Sequence, residues 1–374
     1  MPESISHKFA RGMAAVTIAA GLASGLASTA SADTLKEFDA RAAALVEKAK
    51  PEQVAHVPPT GPKGVAKKKI VIIPCAMAAE GCARMARGAE EAGKLLGWDA
   101  TIIDPAGDLA KVADAVQRAI SIGADGLVIL SNDARVLQGP LRQAKSNGMF
   151  VVAEGVNMDG LYDATLPGEK FFLDQGYLMA ATAYTMGQSR LDMIKLSSPE
   201  FGAPRLREQG TQKFIDECKA LGGKCSVLVS ENTLVSDIST LVPKQAVSLI
   251  QKYPSYNVLW SGYDAQLNFI IQAIEQADLL KTGFSVGFDA NSANTPFIAQ
   301  DKYEKGTVGF PLEWVGYGLV DDLNRLFAGE KIVLDQGIRS RLIVKENIKD
   351  ALKGGPAWEG DADFRAEYKA LWGR

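Results

Sequence analysis

The feature that most constrains the fold is a strand, loop and helix unit at residues 67–98. The run IVIIP at 70–74 is short, apolar and β-branched, which is typical of a strand buried on both faces. A loop of small side chains follows, and then a stretch with helical spacing of apolar residues. Such a helix aims its N-terminus at the loop. The unit predicts the first step of an α/β array whose loops face a ligand.

The same alternation continues along the chain and then starts a second time. Apolar runs occur at 70–74, 100–103, 127–130 and 149–153, and again, after a helical stretch at 174–190, at 192–196, 226–229, 258–261 and 285–288. Helical segments separate successive runs, which favours parallel sheets covered by helices on both faces. Two such arrays in 374 residues predict two similar Rossmann-like lobes.

Residues 1–32 have the pattern of a secretory signal peptide. Lys8 and Arg11 precede an apolar stretch at 14–27 that is too short and too rich in alanine and glycine to span a bilayer. Small residues predict cleavage after Ala32, and no cysteine follows there to take a lipid. We expect a protein that is free in an exported compartment, without a membrane anchor.

Composition excludes several classes of function. The only histidines are His7 and His56, both outside the predicted lobes, so histidine-based catalysis and zinc sites are excluded. Neither a P-loop nor a dinucleotide-binding glycine motif follows a strand, so we expect no nucleotide cofactor. A formal net charge of −3 gives no field that would attract nucleic acid. The sequence predicts a protein that is not an enzyme, although carboxylate or lysine chemistry stays open.

Four cysteines in an exported protein can form disulfides. Cys218 and Cys225 flank a Gly-Gly turn between a predicted helix and a strand, where the chain doubles back, and a disulfide is expected there. Cys75 and Cys82 stand at the two ends of the opening loop and could pair in the same way. Strand and helix directions could instead hold their Cβ atoms too far apart, so this pair stays open.

Polar and aromatic residues collect at the predicted strand ends. Ligands of open parallel sheets bind outside these ends, so two facing sheets predict a shared cleft. The candidate ligand-binding residues are Met77, Glu80, Cys82, Ser131, Asn132, Asp133, Glu154, Asn157, Arg207, Tyr263, Asp289 and Phe310. Asn132 and Asp133 would serve equally as helix caps, Tyr263 and Phe310 would fit a core, and Arg207 would fit a surface ion pair. As a set, the residues suit a small polar organic molecule.

The chain from Lys69 to about Lys345 resembles the ribose-type (type I) periplasmic sugar-binding proteins of bacterial ABC transporters. The similarity is carried, in order, by IVIIPCAMAAEGCARMARGAEEAGKLLGW at 70–98, GADGLVIL at 123–130, PRLREQGTQKF at 204–214, VLWSGYDAQLNFIIQAI at 258–274, SVGFDANS at 285–292 and GTVGFPLEWVGYGLVDDLNRLFAGEKI at 306–332. The resemblance implies two lobes joined by a hinge of three crossovers. The lobes would close on a solute and deliver it to an ABC permease with its ATPase.

The resemblance also implies roles for individual residues. Arg207 in LREQG, Asp289 in GFD and Tyr263 occupy ligand-contact positions, and Phe310 lies at a hinge and pocket wall. A guanidinium fork and a carboxylate can share vicinal hydroxyls, or a carboxylate on the ligand can take the fork. In the opening loop, residues 78–82 replace the aromatic pair that stacks on sugars in this family. We therefore expect a roomier first-lobe side and a solute other than a simple pentose or hexose.

The predicted organisation combines these observations. The segments are a signal peptide at 1–32, a leader helix and Pro/Gly linker at 33–66, an N-terminal lobe from 67–173 plus about 312–338, a C-terminal lobe from 174–311 plus about 339–353, and a C-terminal extension at 354–374. We expect a monomeric periplasmic solute-binding protein of an ABC importer. The alternative is a sensory binding protein that presents its ligand to a chemoreceptor or sensor kinase.

Overall fold

The computed structural model describes residues 23–132, 134–155 and 160–374, so the candidates Asp133 and Asn157 lie outside the described residues. The strands are β1 Lys69–Ile73, β2 Asp99–Ile102, β3 Gly126–Ile129, β4 Phe150–Ala153, β5 Ala164–Thr165, β6 Arg190–Ser197, β7 Lys224–Asn232, β8 Val258–Ser261, β9 Ser285–Asp289, β10 Glu304–Gly309 and β11 Arg341–Val344. The α-helices are α1 Ala23–Ala49, α2 Glu80–Leu95, α3 Leu109–Ser121, α4 Ala134–Ser146, α5 Glu169–Met186, α6 Gly202–Ala220, α7 Val242–Lys252, α8 Asp264–Gln276, α9 Thr295–Ala299, α10 Leu312–Phe327, α11 Ile348–Leu352 and α12 Phe364–Trp372. Within these ranges, no helix is both long and apolar enough to cross a membrane.

The first sheet is parallel and has the strand order β2-β1-β3-β4-β5. Its central strand β1 is apolar throughout its buried length because helices cover both faces. Ile70 and Ile72 pack on the side of α2 and α10. Val71 and Ile73 pack on the opposite side, against α3 and α4. We call this sheet and the helices that pack on it the first lobe.

The second sheet contains β6 to β11 and forms the second lobe with the helices packed on it. Its two segments, β7-β6-β8 and β11-β10-β9, are joined by a parallel bridge between Val258 and Phe284. All its pairings are parallel except that of β11, an edge strand antiparallel to β10. The predicted α/β class with two sheets flanked by helices is confirmed. The predicted residue boundaries of the two lobes stay a prediction.

Helices α5 and α6 cross at two glycines. A Cβ atom at Gly176 would collide with the backbone of Arg207, and one at Gly210 would collide with the backbone of Leu173. Any larger side chain would push the helices apart, so the close approach requires glycine at both positions. The crossing places Gln175 of α5 beside the Arg207 side chain of α6.

The leader helix α1 packs on the second lobe. Phe38, Ala42 and Val46 are buried along one face, and the Phe38 ring lies 4.9 Å from the ring of Phe214. These residues are spaced four apart and therefore share one side of a helix. The buried contacts described for α1 come from residues after Ala32, the predicted cleavage position. The leader is thus part of the second lobe's packing, while the chain that follows it enters the first lobe at β1.

The C-terminal extension crosses in the other direction and packs on the first lobe. The ring of Trp372 stacks on that of Tyr317 in α10 with centroids 5.9 Å apart, and Phe364 stacks on Trp314 at 5.3 Å. The indole N–H of Trp372 donates to Asp321 at 2.8 Å. Leader and extension therefore add two connections between the lobes to the three that the resemblance implies.

The substitution Trp372→Ala tests whether the extension is an integral part of the first lobe. Trp372 is 1% exposed, so the free energy of unfolding should fall by about 3–5 kcal/mol. Urea denaturation followed by circular dichroism measures the change. Lys369→Ala, at an exposed position of the same helix, should stay within about 0.5 kcal/mol of the parent protein. Equal stability of the two variants would contradict this packing.

Candidate functional site

A small cavity lies between the two lobes at the carboxyl ends of their strands. The volume that water can occupy is about 50 Å³, on a scale where about 10–15 Å³ holds one water. It is lined by Cys75, Ala79, Gly81, Cys82, Met85, Ser131, Glu154, Phe201, Ala203, Pro204, Arg207, Val235, Tyr263, Asp289, Phe310 and Leu312. Both lobes contribute to this lining. A cavity of this size suits a single small solute rather than a ligand of several linked units.

Arg207 is the centre of the polar side of the cavity. It is 2% exposed, and its guanidinium donates to Gln175 Oε1 at 2.9 Å, to the carbonyl oxygen of Gly262 at 3.0 Å and to Asp289 Oδ1 at 2.7 Å. The Phe288 ring lies 4.6 Å from the guanidinium carbon. Its positive charge is therefore matched by the Asp289 carboxylate inside the protein. This pairing leaves the fork less available to a carboxylate on a ligand.

Asp289 sits at the end of β9 in a backbone conformation that favours glycine. Its φ is 91°, and that of Ala290 is 55°, which is costly for residues with a Cβ atom. Neighbouring groups hold the turn in place. Arg84 Nη1 donates to both of their carbonyl oxygens and to Asn291 Oδ1. The Asp264 carboxylate accepts from the N–H of Asn291 at 3.1 Å.

Glu154 is a buried carboxyl group with one free oxygen. Its Oε2 accepts from the Ser131 hydroxyl at 2.8 Å, and its Oε1 has no hydrogen-bond partner among the described residues. Burial raises the pKa of Glu154 to about 7, while the Ser131 hydrogen bond and the Arg207 charge oppose the rise. The group can therefore accept a hydrogen bond from a solute, or donate one when it is protonated.

The aromatic ring of Tyr263 forms part of the cavity wall. Tyr263 is 9% exposed, and its hydroxyl has no hydrogen-bond partner within the described part of the chain. The nearby Ser198 hydroxyl is bonded to Thr233 at 2.9 Å. Burial raises the pKa of Tyr263, so the phenol stays protonated. A buried donor without a partner costs free energy, which a bound solute could recover.

Both cysteine pairs form disulfides. Cys218 and Cys225 are joined with their Cα atoms 6.1 Å apart, and Cys75 and Cys82 with theirs 5.9 Å apart. The expected first pair is confirmed, and the pair that stayed open is formed as well, because the opening loop curls back within bonding range. The Cys75–Cys82 disulfide lies in the cavity wall.

Seven of the twelve predicted ligand-binding residues line the cavity: Cys82, Ser131, Glu154, Arg207, Tyr263, Asp289 and Phe310. Met77 and Asn132 lie nearby without lining it. The Met77 N–H donates to Asp104, and the Asn132 amide donates to backbone carbonyl oxygens at Pro74 and Leu130. The structure thus brings most of the predicted set to one place, and their contact with a solute stays a prediction.

Glu80 faces the other lobe instead of the cavity. Its carboxylate accepts from the backbone N–H groups of Ser292 at 2.7 Å and Ala293 at 3.3 Å. One helical turn further, Arg84 forms a bidentate ion pair with Glu313, both contacts at 2.8 Å. Because Arg84 also holds the Asp289 turn, the start of α2 ties the first lobe to the second.

Several lining residues were not predicted from the sequence. Phe201, Ala203 and Pro204 follow the carboxyl end of β6, and Val235 follows that of β7. The rule that ligands bind beyond the carboxyl ends of strands would have indicated both positions. Met85 and Leu312 lie inside helices, where no sequence signal separates a cavity wall from a core. No cluster of three metal-ligating side chains occurs in the ranges that the structure describes.

The comparison with protein families decides the assignment. Residues 70–331 match the family described as periplasmic binding protein domain. The chain belongs to this family. The match covers more than half of the sequence, and it confirms the resemblance predicted from the motifs. A search of curated proteins found no match to the sequence.

Solved structures of ABC transporter proteins share the fold. A sugar ABC transporter protein from Yersinia enterocolitica subsp. enterocolitica superposes with a TM-score of 0.71 at 18% identity, covering 82% of this chain and 95% of that one. A 5-methylthioribose transporter solute-binding protein from Thermotoga lettingae gives 0.70 at 18% identity, covering 85% and 99%. An Agrobacterium vitis ABC transporter solute-binding protein with bound allitol gives 0.69 at 15% identity, covering 77% and 98%.

Replacing Glu154 by glutamine tests the buried carboxyl group. The pKa of an unfolded glutamate is about 4.3, whereas the pKa of Glu154 in the folded protein is about 7. Between these values the folded state binds more protons, so the free energy of unfolding falls as the pH rises and levels off above pH 7. The difference in unfolding free energy between the parent and Glu154→Gln should fall by about 3 kcal/mol over this range. Urea denaturation at pH 4.5, 6 and 7.5 measures it, and parallel pH profiles would contradict the burial.

Proposed function

We propose that the protein captures a small organic solute, sugar-like or related, in the cleft between its lobes and delivers it to an ABC importer in the periplasm. Both lobes line the cavity, and Tyr263 and Glu154 each present to it a polar atom that has no partner in the described part of the chain. A solute that bonds to these atoms contacts both lobes only when they are closed. It therefore stabilises the closed state by its differential affinity for the two states.

The mechanism needs no bond-making step. The solute would enter an open cleft, and the lobes would close around it through the Glu80 and Arg84 contacts described above. A permease with its ATPase would recognise the closed shape and release the solute for transport. The protein would act as a monomer, with both walls of the cavity supplied by one chain.

The bound ligands of similar structures support a sugar-like or polyol solute. The Agrobacterium vitis protein holds allitol, another from the same organism holds D-fucose, and the Thermotoga lettingae protein holds 5-methylthioribose. These proteins are transporter components, which favours the importer over the sensory alternative. Export would follow from the predicted signal peptide, with cleavage after Ala32 inside the segment described as α1.

A thermal-shift screen against sugars, deoxysugars, polyols and nucleosides tests the proposal, with Tyr263→Phe as the site variant. A solute at 100 times its Kd should add about 2.7 kcal/mol to the unfolding free energy. Tyr263→Phe removes a hydroxyl that has no partner among the described residues, so it should weaken solute binding by about three- to tenfold without loss of stability.

Tyr256→Phe is the matched control for this experiment. Its hydroxyl is bonded to Thr282 at 2.7 Å and to Tyr303 at 2.9 Å, away from the cavity. This variant should lose about 1 kcal/mol of stability and bind the solute like the parent protein. Absence of stabilisation by every solute would contradict solute capture. Undiminished binding by Tyr263→Phe would remove Tyr263 from the site.

A further inference from the structure

The cavity wall has two kinds of surface. Glu154, Arg207 and Asp289 supply its charged groups, and Arg207 donates to Asp289 at 2.7 Å. A single apolar cluster that joins the lobes supplies the second kind. Its cavity-lining members are Cys75, Ala79 and Cys82 of the first lobe, and Phe201, Val235 and Tyr263 of the second. The Cys75–Cys82 disulfide of the first lobe packs in this cluster with Val235 and Phe201 of the second.

The charged groups of the cavity wall disfavour an anion. Arg207 is the only cationic side chain among the described lining residues, and it is paired with Asp289 at 2.7 Å. Arg84, which donates to the carbonyl oxygen of Asp289, is paired with Glu313 at 2.8 Å. Glu154 adds a carboxyl group whose Oε1 is free to accept a hydrogen bond. A negative charge on the solute would therefore enter a site without an unpaired positive partner.

The apolar surface favours a solute group without hydroxyls where that group packs on the disulfide, Val235 and Phe201. Among the cavity-lining side chains of this cluster only Tyr263 carries a hydroxyl, which is left to the head of the solute. Sulfur and carbon atoms of the disulfide, Val235 and Phe201 offer no hydrogen bond to replace those that a hydroxyl loses on leaving water. A methyl or thioether group loses no such bonds and gains from its removal from water. A solute that uses both kinds of surface therefore has a polar part and an apolar part.

Resting on the proposed function, the geometry points to a solute with a hydroxyl- or amine-bearing head that carries no negative charge, and with a short apolar arm that packs against the Cys75–Cys82 disulfide. The head donates to Glu154 and Asp289, and the arm lies between the disulfide and Val235. The disulfide is thus a specificity determinant that takes the place of the aromatic pair of sugar-binding relatives.

Matched solutes measure the arm preference directly. D-ribose, 5-methylthioribose and D-ribose 5-phosphate share a head and differ in one arm, as do D-galactose, D-fucose and D-galactose 6-phosphate. Isothermal titration calorimetry should show the apolar arm binding about tenfold more tightly than the hydroxyl arm in at least one series, with no detectable binding of the phosphate. The arm preference is the ratio of the two Kd values.

The second disulfide provides a matched control because both bridges have a sequence separation of 7. The double variant Cys75→Ala, Cys82→Ala should reduce the arm preference to about threefold or less, whereas Cys218→Ala, Cys225→Ala should retain it. Because the arm preference is the ratio of two Kd values, a looser loop that weakens the binding of both solutes equally leaves it unchanged. Val235→Thr should also reduce the preference, while Val57→Thr should not; the two valines are 7% and 8% exposed, and only Val235 lines the cavity. If removal of a disulfide prevents folding, the variants Val235→Thr and Val57→Thr still test the inference.

The outcomes separate this inference from the proposed function. Tighter binding of a hydroxyl or phosphate arm would overturn the inference and leave solute capture standing. So would an arm preference that survives in the Cys75, Cys82 and Val235 variants, or a solute from the wider screen that is anionic or lacks an apolar arm. If neither these six solutes nor any of the wider screen binds, the proposed function fails and the inference fails with it.

Discussion

The buried ion pair of Arg207 and Asp289 organises the side of the second lobe that faces the cleft. Through it the guanidinium joins α6 to the end of β9, and its other donors reach Gln175 of α5 and the carbonyl oxygen of Gly262 before α8. A buried pair of this kind adds little net stability, but removing one partner is costly because the other charge is left alone. Its main consequence here is electrostatic: the one cation in the described cavity wall is already neutralised. The protein must then select its solute by the hydrogen bonds that the solute donates and by the apolar surface that the solute buries.

The path of the chain between the lobes determines how they can move. Beyond the three connections near residues 166–168, 310–311 and 328–340, the leader crosses near residues 50–68 and the extension near 353–363. The leader and the extension also touch each other, since the N–H of Gln53 donates to Asp361 at 2.8 Å. Opening of the cleft must therefore be accommodated by five segments. We regard the two added segments as part of the hinge rather than as appendages.

The sequence was sufficient for features that depend on local pattern. The β1 strand was predicted because four of its residues are fully buried between two helical layers. Arg207 and Asp289 were identified because they stand in the LREQG and GFD motifs, the first within α6 and the second at the end of β9. Features that depend on distant partners were not predictable. Glu80 was expected at the ligand, but its carboxylate is taken by backbone N–H groups more than 200 residues away. Trp372 likewise contacts Tyr317 and Asp321 of α10, and the periodicity of the sequence does not indicate this contact. The Cys75–Cys82 disulfide was left open because it depends on how tightly the opening loop folds back.

Closure of the two lobes around a solute shortens distances across the cleft, and such a distance can be measured between two spin labels. Lys111 of α3 and Lys244 of α7 are exposed on opposite lobes, and every described cysteine is already in a disulfide, so Lys111→Cys and Lys244→Cys accept spin labels selectively. Double electron–electron resonance should show a longer-distance population without solute that disappears when the bound solute from the screen is saturating. A distance distribution that does not change on saturation would contradict closure by the solute.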